Sequence, residues 1–541
     1  MNLRQSRVAD VRRACGVLVA FVSALWFVVT FSAHSYASET ASVGPLRVTT
    51  SLPLSDRQKN FTWAGSTTSQ GDAVLGSDVA RTSFGLSGGG IKIGIISDSF
   101  NFMNGMDAGI ASGDLPGPGN PYGFTSPVTI LNDDLFPGNM DEGRAIAEVI
   151  HDLAPGAQLL FHSAFNNPQS SPGGSIAAAI DSLVAAGANI IIDDVFSIGS
   201  PTFQDGVAAR AVNKAFASGV AYFSSAGNNS NNAYQGMFSA TGINHDFDAN
   251  LNEGGDTLLD IGTIPAGGSV IAGLWWDDAY ASLGGTPTSD FQFGIYNMTD
   301  GVAEGGSAQN QLAGADPFEA FGFTNNNTTA KQYGLFVEHA GGDPNKLLKI
   351  QVFDRSIVDD DDTDSPTIGG HSAAAGALAI GATPFYNPDT AELFTSQGPT
   401  TILYDTDGNR LATPEIRSTP ALTGIDGVNT SFFFADTAWD DDSFPNFFGT
   451  SAATPHVAAI AALVMERATQ LGRFMTPAEL YEILKHSTVD MGETGYDSIT
   501  GYGRLDAMLA ISSVSAPEPG AMTMLLLAAV SIGGIRVRIR K

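Results

Sequence analysis

The chain has 541 residues, with 26 Lys and Arg against 56 Asp and Glu and a formal net charge of −30, long enough for a sizeable core and at least two domains. At 43% hydrophobic and 15% charged, with 62 Gly and 26 Pro, it is too apolar for a disordered chain, and its composition excludes collagen, coiled-coil and multi-span membrane architectures. The acidic excess repels polyphosphate, which excludes a nucleic-acid partner, and together with the low charge density it fits an exported soluble protein.

Arg4, Arg7, Arg12 and Arg13 precede an apolar run over 15–31, and Ser35-Tyr36-Ala37 then supplies small residues. This order predicts a secretory signal peptide over residues 1–37; the run is long enough that an uncleaved anchor helix stays open. Cys15, the single cysteine, lies in this leader and leaves no intramolecular disulfide. Residues 38–85 are rich in Ser, Thr and Gly and read as a linker or short prosegment. From Ile91 the β-branched run Ile91-Lys92-Ile93-Gly94-Ile95-Ile96 predicts a strand ending at Ser97-Asp98-Ser99.

Helical patterns over 145–153, 175–186 and 207–217 then alternate with strand patterns over 158–162, 190–192 and 220–224. The alternation predicts an α/β unit with a parallel sheet and helices on both faces, occupying 86–228 and resuming over 365–512. Between 229 and 364 the helical period gives way to short strands at 258–264, 269–276, 291–296 and 347–353, an inserted all-β sandwich. Asp359 to Asp362 read as a solvated acidic loop in preference to a structural calcium site, since a charge run does not define a set of oxygen ligands; no other cofactor is implied.

At the end, Pro517-Glu518-Pro519 is followed by an apolar stretch over 521–535 and by Arg536, Arg538, Arg540 and Lys541. Fifteen residues are short for a stable span, and a basic terminus stays cytoplasmic, which puts the body outside. Residues 513–541 resemble the PEP-CTERM sorting tail of Gram-negative bacteria. The resemblance implies processing by a membrane exosortase, membrane contact only through this tail, and a periplasmic, cell-surface or extracellular location; an ordinary tail anchor would put the protein on the same side.

Gly449-Thr450-Ser451-Ala452-Ala453-Thr454-Pro455-His456 opens a helix of small and apolar residues. Ser451 falls at the helix N-terminus, where unpaired N–H groups and the dipole favour an oxyanion, and Pro455 is read within the first turn, where its missing N–H costs nothing. The octapeptide resembles the nucleophile motif of the subtilisin-like serine proteases, Gly-Thr-Ser-x-Ala-x-Pro-His, at every fixed position. That resemblance implies that Ser451 is the nucleophile, that Asp98 at the end of the first core strand is the triad aspartate, and that Asn228 in Ala226-Gly227-Asn228 donates to the oxyanion. Gly501-Tyr502-Gly503-Arg504-Leu505-Asp506-Ala507 resembles the segment that closes such domains.

No His-Gly-Thr stands at the second triad position; Asp141-Glu142-Gly143-Arg144 occupies the corresponding place. Glu142, Ile146, Val149 and Leu153 follow i, i+4, i+7 and i+11, so Glu142 continues the apolar stripe, with Arg144, Glu148 and His151 expected on the opposite face. A carboxylate on a buried stripe needs a partner or a job, and Glu142 is therefore read as the base in place of histidine, with Asp98 its partner and His151 the alternative base. The resemblance then moves toward the sedolisins, which use a Ser-Glu-Asp triad, although this chain has Ile146 where they carry the aspartate and Asn228 where they have another.

A free Glu has a pKa of about 4.3, and a second carboxylate nearby raises it, which implies a serine endopeptidase acting on peptide or protein substrates with an acidic optimum. Ser197-Ile198-Gly199 resembles the Ser-Leu-Gly wall of the family's main specificity pocket. For the preceding Asp193-Asp194, a third site carboxylate and a strand-end residue bonded to loop backbone both stay open. Two other readings remain: a catalytically inactive scaffold at the cell surface, and an exopolysaccharide-binding sandwich using Trp275, Trp276 and Asp277, against which a buried aromatic pair is the plainer account.

Overall fold

Apolar runs without a solvent-facing alternation belong in a sheet covered on both sides, and the core strands take that place. In the computed structural model, which describes residues 65–134, 138–165, 173–248, 255–353, 356–358, 365–515 and the backbone of 28–30, nine strands form one sheet. Its order is Thr488–Val489, Arg504–Leu505, Leu422–Asp426, Ala377–Pro384, Ala221–Ser225, Ile190–Asp193, Lys92–Ser97, Gln158–Ser163 and Thr129–Asn132. Only the edge pair of Thr488–Val489 with Arg504–Leu505 is antiparallel.

Within Lys92–Ser97, Ile93 and Ile95 join the core beneath helices Glu142–Leu153 and Thr450–Gln470, while Ile96 joins the opposite core under Gly174–Ala185 and Val207–Ala217. Helix Thr450–Gln470 is buried around its whole circumference through Val464, and its small residues allow close contact with the sheet. A Cβ on Gly424 would stand 2.2 Å from the Ala453 carbonyl oxygen.

Of the 38–85 reading, residues 38–64 lie outside the described residues; over 65–85, helices Gln70–Val74 and Ser77–Phe84 replace the linker alternative, because Leu75 and Ala80 belong to the main core. They bury polar groups in pairs and so carry little apolar pattern. Arg81 donates from both terminal nitrogens to Asp72 at 2.6 and 2.7 Å, and Ser69 Oγ meets His456 Nε2 at 2.6 Å.

The insertion is two antiparallel sheets sharing one core, which includes Tyr234, Leu274, Trp276, Phe291, Leu335 and Ile350. A second cluster fastens it to the α/β unit: Trp275, Tyr280 and Phe353 pack with Phe196, Ile198, Phe203, Leu403 and Tyr404. Trp275 Nε1 donates to the Ser200 carbonyl at 3.0 Å, Tyr404 Oη donates to the Asp277 carbonyl at 2.6 Å, and Arg410 pairs with the Asp277 carboxylate at 2.9 Å. Both tryptophans are 1% exposed, in line with the buried aromatic pair and against a sugar site at Trp275 and Trp276: the pleat sends one ring into each core.

The Asp359–Asp362 run, residues 516–541 of the sorting tail and all of the leader except the backbone of 28–30 lie outside the described residues. Val28–Thr30 runs antiparallel along Val195–Ser197, with Val28 opposite Ser197. Among the described residues no helix is long and apolar enough to cross a membrane, and no cluster of three or more His, Cys, Asp or Glu could hold a metal ion.

Candidate active site

The carboxyl ends of parallel strands gather side chains from distant parts of a chain, and four strand ends meet here. Lys92–Ser97 delivers Asp98, Ile190–Asp193 delivers Asp194, Ala221–Ser225 leads into Asn228, and Leu422–Asp426 leads back to the start of helix Thr450–Gln470. Asp98 faces main chain: Oδ1 accepts from Glu142 N at 2.8 Å and from Ser99 N, and Oδ2 accepts from Met140 N at 2.6 Å. It thereby caps helix Glu142–Leu153, with burial raising its pKa against the opposing pull of these donors.

Just before this helix, Asp141 sits in the left-handed region at φ +59°, a conformation that short polar side chains tolerate best. Its carboxylate accepts from Ser99 Oγ at 2.9 Å and Phe102 N at 2.7 Å and pairs with Arg144. Glu142, 1% exposed, is fixed as the first helical residue by these two aspartates. Arg144, Glu148 and His151 are buried as well, so the face opposite the apolar stripe is covered too: Arg144 lies under the Phe432 ring, 3.4 Å from its centre, and Glu148 accepts from Ser431 N and Oγ at 2.8 and 2.7 Å. The loop around residues 431–433 forms a second layer over that side.

The Glu142 carboxyl hydrogen-bonds with Ser451 and with Asp194. Ser451 and Asp194 are fully buried. Burial and the charges of Asp194 and Asp98 hold the Glu142 carboxyl well above the usual carboxylate range, and burial with the Asp98 charge does the same for Asp194. Ser97 Oγ donates to Asp194 Oδ2 at 3.1 Å. Asp193 goes elsewhere, accepting from Ser224 Oγ at 2.9 Å and meeting His371 Nε2 at 3.0 Å. Of this pair, Asp194 meets Glu142, while Asp193 is held at the strand end by Val195 N and by side chains of neighbouring elements.

Asn228 Oδ1 accepts from Thr450 N at 3.0 Å and from Thr450 Oγ1 at 2.9 Å. With the oxygen side of the amide turned to Thr450, its donor side is Nδ2, the atom an oxyanion requires. Gly449, at φ +109°, donates to Asp426 Oδ2 at 2.9 Å and turns the chain into the helix. Pro455 lies within the second turn, not the first as read from sequence, so it withholds the helical N–H that would otherwise bond to the Ser451 carbonyl.

His151 sits nine residues beyond Glu142, about 13 Å along the helix, against Phe124 and Asn120. Burial lowers its pKa to about 4, and it takes no part in the Ser451 cluster. A small cavity with room for about one water is lined by Phe196, Ala226, Asn229, Gln351, Phe353 and Ser372 among others. Gln351 and Phe353 come from the last strand of the insertion, Leu347–Phe353, a contribution that no local motif announces.

The sheet, the flanking helices and the serine at the start of the central helix define the subtilisin-like fold. Residues 284–503 match the subtilase family model, a stretch that includes the Ser451 motif. The chain is 41% identical over 66 residues to an extracellular basic protease of Dichelobacter nodosus and 33% identical over 69 residues to an extracellular serine protease of Serratia marcescens. These stretches cover 12% and 13% of this chain but only 11% and 6% of those relatives. Among solved structures it is similar to the CspB protease of Clostridium perfringens, at 12% identity with a TM-score of 0.52, covering 82% of this chain and 98% of that one.

Proposed function

We propose that the protein is an exported serine endopeptidase that cleaves peptide bonds through an acyl-enzyme, with a glutamate base and an optimum below neutral pH. Contact of the buried Glu142 carboxyl with Ser451 carries this reading. Ser451 Oγ attacks the scissile carbonyl carbon while Glu142 takes its proton; the C–N bond then breaks and Glu142 returns the proton to the leaving amine. Asn228 Nδ2 stabilises the oxyanion, and Asp98 holds the base helix in place. The edge strand Val195–Ser197, one residue beyond Asp194, pairs with an extended backbone at Val28–Thr30, the conformation in which a peptide substrate would lie. The leader, the acidic composition and the tail, which an exosortase would process, support export; the relatives named as extracellular point the same way.

The test is peptide hydrolysis by the purified full chain across roughly pH 3 to 9, with Ser451→Ala and Glu142→Gln as variants. Activity lost in both supports the reading. Activity that persists in Glu142→Gln removes Glu142 as the base, and a folded wild type that cleaves no peptide removes the peptidase.

A further inference from the structure

Asp98 cannot orient the Glu142 carboxyl in the way an aspartate orients a histidine, because its oxygens are occupied by the N–H groups of Ser99, Met140 and Glu142. The side chain that does meet the Glu142 carboxyl is Asp194, which arrives from the neighbouring strand. Glu142 Oε1 and Asp194 Oδ1 are both buried and receive no N–H or O–H donor. One proton held between the carboxyls satisfies both oxygens, whereas two buried ionised carboxylates in contact would repel. The groups around the pair are Asp98 and Ser97 from the first strand, Asp193 beside Asp194, and Ser451 from the central helix. Arg144 is turned to Asp141 and His371 to Asp193, and among the described residues neither Glu142 nor Asp194 forms an ion pair with a basic side chain.

We propose that Asp194 is the positioning partner of Glu142: the two carboxyls share one proton, and the singly protonated pair is the working base. This rests on the peptidase reading for its kinetic consequences only. Protonated Asp194 donates to one oxygen of ionised Glu142 and leaves the other for Ser451. When Ser451 Oγ bonds to the carbonyl carbon, its proton passes to Glu142 and the pair becomes doubly protonated. When the C–N bond breaks, that proton goes to the amine nitrogen and the pair returns to one proton. Loss of the remaining proton at higher pH places two like charges together and ends catalysis, so the pair supplies both limbs of the pH profile.

Two measurements test this on the full chain. In kinetics, wild type shows a bell-shaped kcat/KM profile, Asp194→Asn loses the alkaline limb, and Ser97→Ala, which removes a donor to ionised Asp194, moves that limb up by roughly half to one pH unit. Both limbs unchanged in folded Asp194→Asn overturn the proposal; if that variant does not fold, an unmoved limb in Ser97→Ala does so. In infrared difference spectra at about pH 6, wild type minus Asp194→Asn, or minus Glu142→Gln, shows the band of a buried protonated carboxyl. Its absence from spectra of folded variants overturns the proposal whether or not the protein hydrolyses peptides, so failure of the pair and failure of the peptidase reading are told apart.

Discussion

Asp98 Oδ1 accepts the Glu142 backbone N–H at 2.8 Å, so the Asp98 carboxylate ties the first core strand to the main chain of the Glu142 helix and not to the Glu142 carboxyl. Replacing Asp98 by alanine leaves the N–H groups of Ser99, Met140 and Glu142 without their acceptor. We expect Asp98→Ala to lose about 2–5 kcal/mol of stability in chemical denaturation and to lose hydrolysis with it. Unchanged stability would show that the helix start is held by something other than this carboxylate.

Thr450 fixes the Asn228 amide through two hydrogen bonds. Asn228→Ala should reduce kcat by roughly 10²–10³ with little change in KM. Thr450→Val removes the hydroxyl bond to Asn228 and the acceptor of Gly227 N, keeps the bond from Thr450 N, and should give a smaller loss in the same parameter. Steady-state kinetics check both, and a KM effect in place of a kcat effect would assign Asn228 to substrate binding.

Phe353 lines the cavity bordered by Ala226 and Asn229. Phe353→Ala should raise kcat/KM for peptides with a large side chain before the scissile bond by about 10-fold or more relative to those with alanine there, measured with a matched peptide series. An unchanged ratio would mean that the cavity does not receive that side chain.

Glu148 is buried with a carboxyl pKa raised to about 7, chiefly by burial. The folded protein therefore binds this proton more tightly than the unfolded chain. The resulting stability is complete below about pH 4.5 and is lost as pH rises through about 7. Glu148→Gln should remove roughly 3 kcal/mol of that pH dependence, read as the difference from wild type in denaturant melts at pH 5 and 8. Buried His151, lowered to about 4, works in the opposite direction below its ordinary value but is common to both proteins and cancels.

The periodic elements were legible: helix Val207–Ala217 and strands Ser269–Trp276 and Leu347–Phe353 lie where the residue pattern places them. Helix Glu142–Leu153 begins three residues earlier than its apolar pattern, because its cap is Asp98, 44 positions upstream. Helices Gln70–Val74 and Ser77–Phe84 were hidden by composition, since ion pairs and shared hydrogen bonds bury Asp72 and Arg81. Ser451 and Asn228 stand in local motifs and could be named from them. Asp193 and Asp194 are chemically identical in sequence; the turn of the strand sends one to His371 and the other to Glu142, and only the folded sheet distinguishes them.

Because Gln351 and Phe353 line a cavity together with Ala226 and Asn229, the insertion is not a removable accessory. A shortened chain joining 229 to 365 would retain Ser451, Glu142 and Asp194 yet lose one wall of the cavity and expose Phe196 and Ile198, which now pack against Phe353 and Trp275. Such a deletion should yield a sticky, poorly selective fragment. Any exchange of this frame between relatives has to carry the sandwich as part of the same inheritable unit.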